Sequence, residues 1–143
     1  MRIDKVHIKT TFKNLNDFKI NIDEKAMETV LLGLNATGKS NFMEALVIIF
    51  RDLDLTYNFN KKQIPAFDYS IKYECRGNII DITYEKGKYL FRINNESETT
   101  KFTKNVDHYL PRHIFIYYSG ISDRLNDLYI PHQKLYYDQI IKK

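Results

Sequence analysis

The chain has 143 residues, 43% of them hydrophobic, with only 5 glycines and 3 prolines; this excludes a disordered or low-complexity polypeptide and leaves one globular unit able to bury roughly two thirds of its unfolded surface. A single cysteine, Cys75, excludes a disulfide framework and a multi-cysteine metal site. The formal charge of +4, from 22 basic and 18 acidic side chains, is well interspersed and gives a mild bias towards anionic partners.

The opening MRIDKVHIKTTF is charged and alternating, without the apolar stretch of a signal peptide. The longest apolar run, Ala45 to Phe50, is too short to cross a bilayer, so no membrane partner and a cytoplasmic location are expected. Ile3, Val6 and Ile8 are separated by charges, and Phe18, Ile20 and Ile22 alternate with Lys19 and Asn21, the period of half-buried strands. The run from Glu28 through Thr29, Val30, Leu31 and Leu32 to Gly33 reads as a strand covered on both faces. The period then changes. Phe42, Ala45, Leu46, Ile49 and Phe50 form one helical stripe, predicting a helix from about Ser40 to Leu53, with a loop over 53–65.

From Asp68 to Phe102 alternation returns in four segments, DYSIKYECRG, NIIDITYEKG, KYLFRINN and ETTKFTK. Gly77-Asn78, Gly87-Lys88 and Asn94-Asn95 mark the joins of an antiparallel meander. His113 to Tyr118 predicts another strand, and residues 122–142 a helix that Pro131 should kink or interrupt. That helix is still periodic at Ile140, so it is expected to continue past Lys143 as part of a longer protein.

The stretch GLNATGKSN, Gly33 to Asn41, carries the pattern G-x-x-x-x-G-K-[ST] between a predicted strand and a helix start. Inward-pointing backbone N–H groups hold phosphate without side chains, and Gly33 and Gly38 permit the close approach and unusual dihedrals this needs. The helix adds free N–H groups and partial positive charge at the same point. Lys39 is the candidate cation for the β- and γ-phosphates, and the Ser40 hydroxyl the candidate Mg²⁺ ligand. Asn35, Ala36, Thr37 and Asn41 complete the candidate nucleotide-binding set.

GLNATGKSN followed by FMEAL resembles the G-x-N-x-x-GKSN-hh-EAh form of the SMC, RecF and OLD-like ATPases, the ABC-type group of chromosome maintenance, DNA repair and phage defence; Asn35, Asn41, Glu44 and Ala45 carry the likeness. The string YYSGISDRL also looks like AAA-type ATPases that accompany bacterial restriction and defence systems. The resemblance implies an α/β fold with α+β character: a P-loop NTPase lobe with an N-terminal and central antiparallel β-subdomain, the incomplete N-terminal part of an ABC-type head. Its parts would be strands over 1–32, the phosphate loop and helix over 33–53, a meander over 68–103, a core strand over 113–118 and the start of a helical insertion over 122–143. It implies ATP and Mg²⁺ as cofactors, a head-to-head homodimer, and nucleic acid engaged through the remainder of the full-length protein. Lys13 stands where the family often has a basic residue touching the nucleotide. Ser119 stands where a glutamine would contact the metal, which makes its hydroxyl a second candidate ligand.

Hydrolysis further requires an acidic residue at the end of a buried strand and a carboxylate that polarises water. Asp52, on the predicted helix, and Asp81, in the meander, do not meet that description, and no LSGGQ-like signature occurs. The catalytic residues are therefore unknown, and the chain alone is expected to hydrolyse little. A small-molecule kinase with the same loop and a non-catalytic nucleic-acid-binding module are the alternative readings. A GTPase is disfavoured by the lack of an N-K-x-D string.

Overall fold

A computed structural model describes residues 1–22, 38–114 and 125–141. The predicted strand over 28–33 and most of that over 113–118 lie outside the described residues. Six strands form one antiparallel sheet: β1 (Arg2–Ile8), β2 (Phe18–Asn21), β3 (Tyr69–Cys75), β4 (Asn78–Glu85), β5 (Lys88–Ile93) and β6 (Glu96–Ser97), in the order β2-β1-β3-β4-β5-β6. Helix α1 (Lys39–Tyr57) leads from the motif towards β3; α2 (Thr99–Lys104) and α3 (Val106–Tyr109) follow the sheet, and α4 (Asn126–Ile141) ends the described chain. No described helix is long and apolar enough to cross a membrane.

Alternation decides which face of the sheet is covered. One row runs straight across four strands in register, Val6 opposite Ile71, Ile71 opposite Ile82, Ile82 opposite Phe91, and all four are buried. A slip of one residue in any strand would turn that row out to solvent, so burial itself holds the register. The three tight joins have positive φ at both central residues, at Arg76-Gly77, Lys86-Gly87 and Asn94-Asn95. This is the geometry whose twist matches a right-handed hairpin. The first two turns are thus centred one residue earlier than glycine-first punctuation suggests, with glycine at the second, left-handed position.

α1 lies on the covered face, burying Phe42, Ala45, Ile49 and Phe50 from the predicted stripe, with Leu46 only partly buried, together with Val47, Ile48, Leu53 and Leu55. It runs on to Tyr57 instead of stopping near Leu53, because the Tyr57 ring packs edge-on against Phe91 and Phe102, at 5.4 and 6.3 Å between centroids. The segment ETTKFTK is helical, not a fourth long strand. Its only large apolar residue, Phe102, stacks on Phe91 at 4.2 Å, and one short helical turn delivers that ring while leaving the polar neighbours exposed. Helix α4 continues through Pro131. A cavity of about 240 Å³ separates it from α1 and the 110–114 segment, with His132 Nε2 bonded to Asp54 Oδ2 at 2.6 Å on its wall.

Phe91 therefore joins sheet, α1 and α2. Phe91→Ala is expected to cost about 3–5 kcal/mol, read as a lowered urea midpoint with an unchanged slope.

Candidate phosphate-binding site

Between β1 and β2 the chain reverses in a tight turn closed by reciprocal backbone bonds between Phe12 and Leu15, at 2.8 and 2.9 Å. Lys13, in that turn, has φ 54°. The turn is pressed against the start of α1. Gly38, the N-cap residue of α1, has φ 100°, and a Cβ placed there would stand 2.9 Å from Leu15 Cδ2 and 3.1 Å from Asn14 Oδ1. Glycine is required at this position twice over, by the left-handed backbone and by the turn that fills the space a side chain would take.

Two side chains of α1 grip the same turn. Asn41 Nδ2 donates to Asn14 Oδ1 at 2.7 Å. Glu44 receives Lys13 Nζ on both carboxylate oxygens, at 2.6 and 2.5 Å. Glu44 is buried and Lys13 is partly exposed, so the pair neutralises a carboxylate that would be costly to leave alone inside. Asn41, Glu44 and Ala45, the letters beyond the minimal motif, lie on the inward side of the first helical turns, and Ala45 is fully buried.

Lys39 and Ser40 are the first two residues of the helix. Among the described residues no side chain caps the α1 N-terminus, and its first turn holds no acidic residue, so the residues of that turn put no negative charge on the positive end of the helix. Lys39 is half-buried there and Ser40 is exposed. These donors suit an anion at the helix start, and an exposed hydroxyl suits a hard cation. Gly33, Asn35, Ala36, Thr37 and Ser119 lie outside the described residues, so the structure brings together Lys13, Gly38, Lys39, Ser40 and Asn41 only. Within that group, Lys13 and Asn41 engage Glu44 and Asn14, a contact spanning 31 residues for the first pair that spacing along the chain does not signal.

The two carboxylates considered for hydrolysis are placed elsewhere. Asp52 is buried on α1, bonded by its neighbour Arg51 at 2.9 and 2.7 Å, and its burial raises its pKa above the ordinary carboxylate value against the pull of Arg51 and His132. Asp81 alternates with the buried residues of β4 and faces the opposite side of the sheet from α1.

A helix start with no acidic residue in its first turn, behind a left-handed glycine and beside a mixed α/β body with an antiparallel sheet, is an arrangement suited to phosphate. The chain belongs to the AAA ATPase domain family, whose model matches residues 1–139. It is also similar to Endonuclease GajA of Bacillus cereus (strain VD045), 25% identical over 142 residues. The alignment covers 99% of this chain and 22% of that protein, so the chain spans about a fifth of the relative's length.

Lys13→Met is expected to destabilise the fold by about 2 kcal/mol, because it removes the lysine bonded to both oxygens of the buried Glu44 carboxylate, and Lys13→Met with Glu44→Leu should cost less than Lys13→Met alone. Urea titrations of the single and double variants read this coupling; strictly additive losses would show that the pair does not hold the turn.

Proposed function

We propose that the chain is the nucleotide-binding N-terminal portion of an ABC-type ATPase head, taking ATP with Mg²⁺ at the start of α1. The observation that carries this reading is Gly38–Ser40: a left-handed glycine opening a helix whose first turn has no acidic residue and, among the described residues, no side-chain cap. Lys39 would lie against the β- and γ-phosphates and Ser40 would hold Mg²⁺, with backbone N–H groups of the 33–38 loop around the phosphates. Bound Mg²⁺ neutralises charge on the phosphates and orients them. Lys13, in the β1–β2 turn whose Asn14 and Leu15 abut Gly38, would approach the nucleotide only by leaving Glu44.

The carboxylates of hydrolysis would come from the rest of the full-length protein, since Asp52 is buried on α1 and Asp81 faces away. In that protein two heads would engage each other head to head around ATP and transmit closure to a nucleic-acid-handling part. The similarity to an endonuclease favours a nuclease there, in a cytoplasmic defence or DNA repair system.

ATP with Mg²⁺ is expected to raise the melting temperature of the chain, since ligand at about 100 times its Kd adds roughly 2.7 kcal/mol, and Lys39→Ala should remove the gain. Absence of any shift in the wild type would sink the nucleotide reading. Turnover of a phosphoryl acceptor by this chain alone would replace it with a kinase.

A further inference from the structure

The side of the sheet away from α1 is uncovered among the described residues, and its charge is lopsided. The register lays one row across every strand: Asn21, Lys5, Lys72, Asp81, Arg92 and Ser97. Several cations on this face are satisfied locally. Arg2 bonds Glu74, Lys9 bonds Glu85, and Lys19 bonds Asp17. With those set aside, Lys5, Lys72, Lys88 and Arg92 are in no ion pair among the described residues; the carboxylates beside them on the strands are Asp81, opposite Lys72 and Arg92, and Glu85, opposite Lys88 but bonded to Lys9, with Glu74 next to Lys72 held by Arg2. Lys5 and Lys72 stand directly opposite each other on adjacent strands. Like charges so placed cost stability, and nothing in the fold requires them there, because neither contributes to the covered face.

We propose that this outer sheet face docks the phosphate backbone of double-stranded DNA without reading its sequence. Lys5, Lys72 and Arg92 would each neutralise a phosphate along a row spanning on the order of 14 Å from β1 to β5. Duplex is favoured over single strand by what the face lacks. Single-strand grooves stack bases on aromatic rings, and here Tyr69, Tyr73 and Tyr84 all lie buried on the other side, while Tyr89 pairs with Tyr84 in the same inward row. The neighbouring row, His7, Ser70, Thr83 and Leu90, adds hydroxyls but no ring larger than an imidazole. Contacts of this kind position a backbone and carry no base information. The face is separate from the start of α1, so the inference does not depend on the nucleotide reading.

Fluorescence anisotropy of a short labelled DNA duplex, titrated with the full chain between about 50 and 200 mM salt, tests it. Wild type should bind with an affinity that falls steeply with salt. Lys72→Gln with Arg92→Gln should weaken binding at least about tenfold and reduce the salt slope by roughly 2. Lys61→Gln with Lys62→Gln, the same charge change in the loop after α1, should leave affinity within about twofold. Lys72→Gln relieves Lys5 and gives up Asp81 opposite it, so the melting temperature should stay near the wild-type value, which separates lost contact from lost fold. Equal losses for both double variants, tighter binding of a single strand than of the duplex, or no salt-dependent binding by wild type would each overturn the proposal.

Discussion

The close approach of the β1–β2 turn to the first residues of α1 is the constraint on which this molecule rests. Leu15 and Asn14 occupy the space where residue 38 would carry a Cβ, and Lys13 and Asn14 are held from the helix side by Glu44 and Asn41. The same glycine begins the helix with a left-handed backbone. One contact therefore joins the N-terminal strands to the helix and sets where the helix starts. Moving the turn would unseat both the sheet and the helix opening, since each is positioned by the other.

The sheet transmits that placement. β1 is paired on both edges, with β2 on one side and β3 on the other, so the turn that follows it is anchored to the whole meander rather than to a free hairpin. On the covered side Phe91, Tyr57 and Phe102 knit sheet and helices together. The other side keeps a row of cations that packing does not use. The two faces have different jobs: one supplies the apolar burial that offsets conformational entropy, and the other presents charge.

Residue 52 shows how position in the fold changes what a carboxylate can do. An aspartate following LVIIFR has the local look of an acidic strand end, yet it lies on α1, buried and bonded by its own neighbour Arg51. Burial raises its pKa, the reverse of what a metal-holding carboxylate near phosphate requires. Glu44 is the contrasting case, buried on the same helix but neutralised by a lysine from across the fold.

What the amino-acid order determined by itself was local. Period-two alternation placed β1 to β5, the change to period 3.6 placed α1, and the GKSN string pointed to the start of that helix, because each signal is complete within one or two turns of chain. Asn41 and Glu44 stood out in the sequence by resemblance, but their partners did not. The tertiary structure decided that β1 lies between β2 and β3, that Lys13 meets Glu44, that Gly38 yields its side-chain space to Leu15, and that ETTKFTK coils into a helix to deliver Phe102. It also decided that Lys5, Lys72 and Arg92 share one row. Each of these depends on segments far apart along the chain being brought within a few ångströms, where burial and charge act on both at once, and no local pattern carries that information.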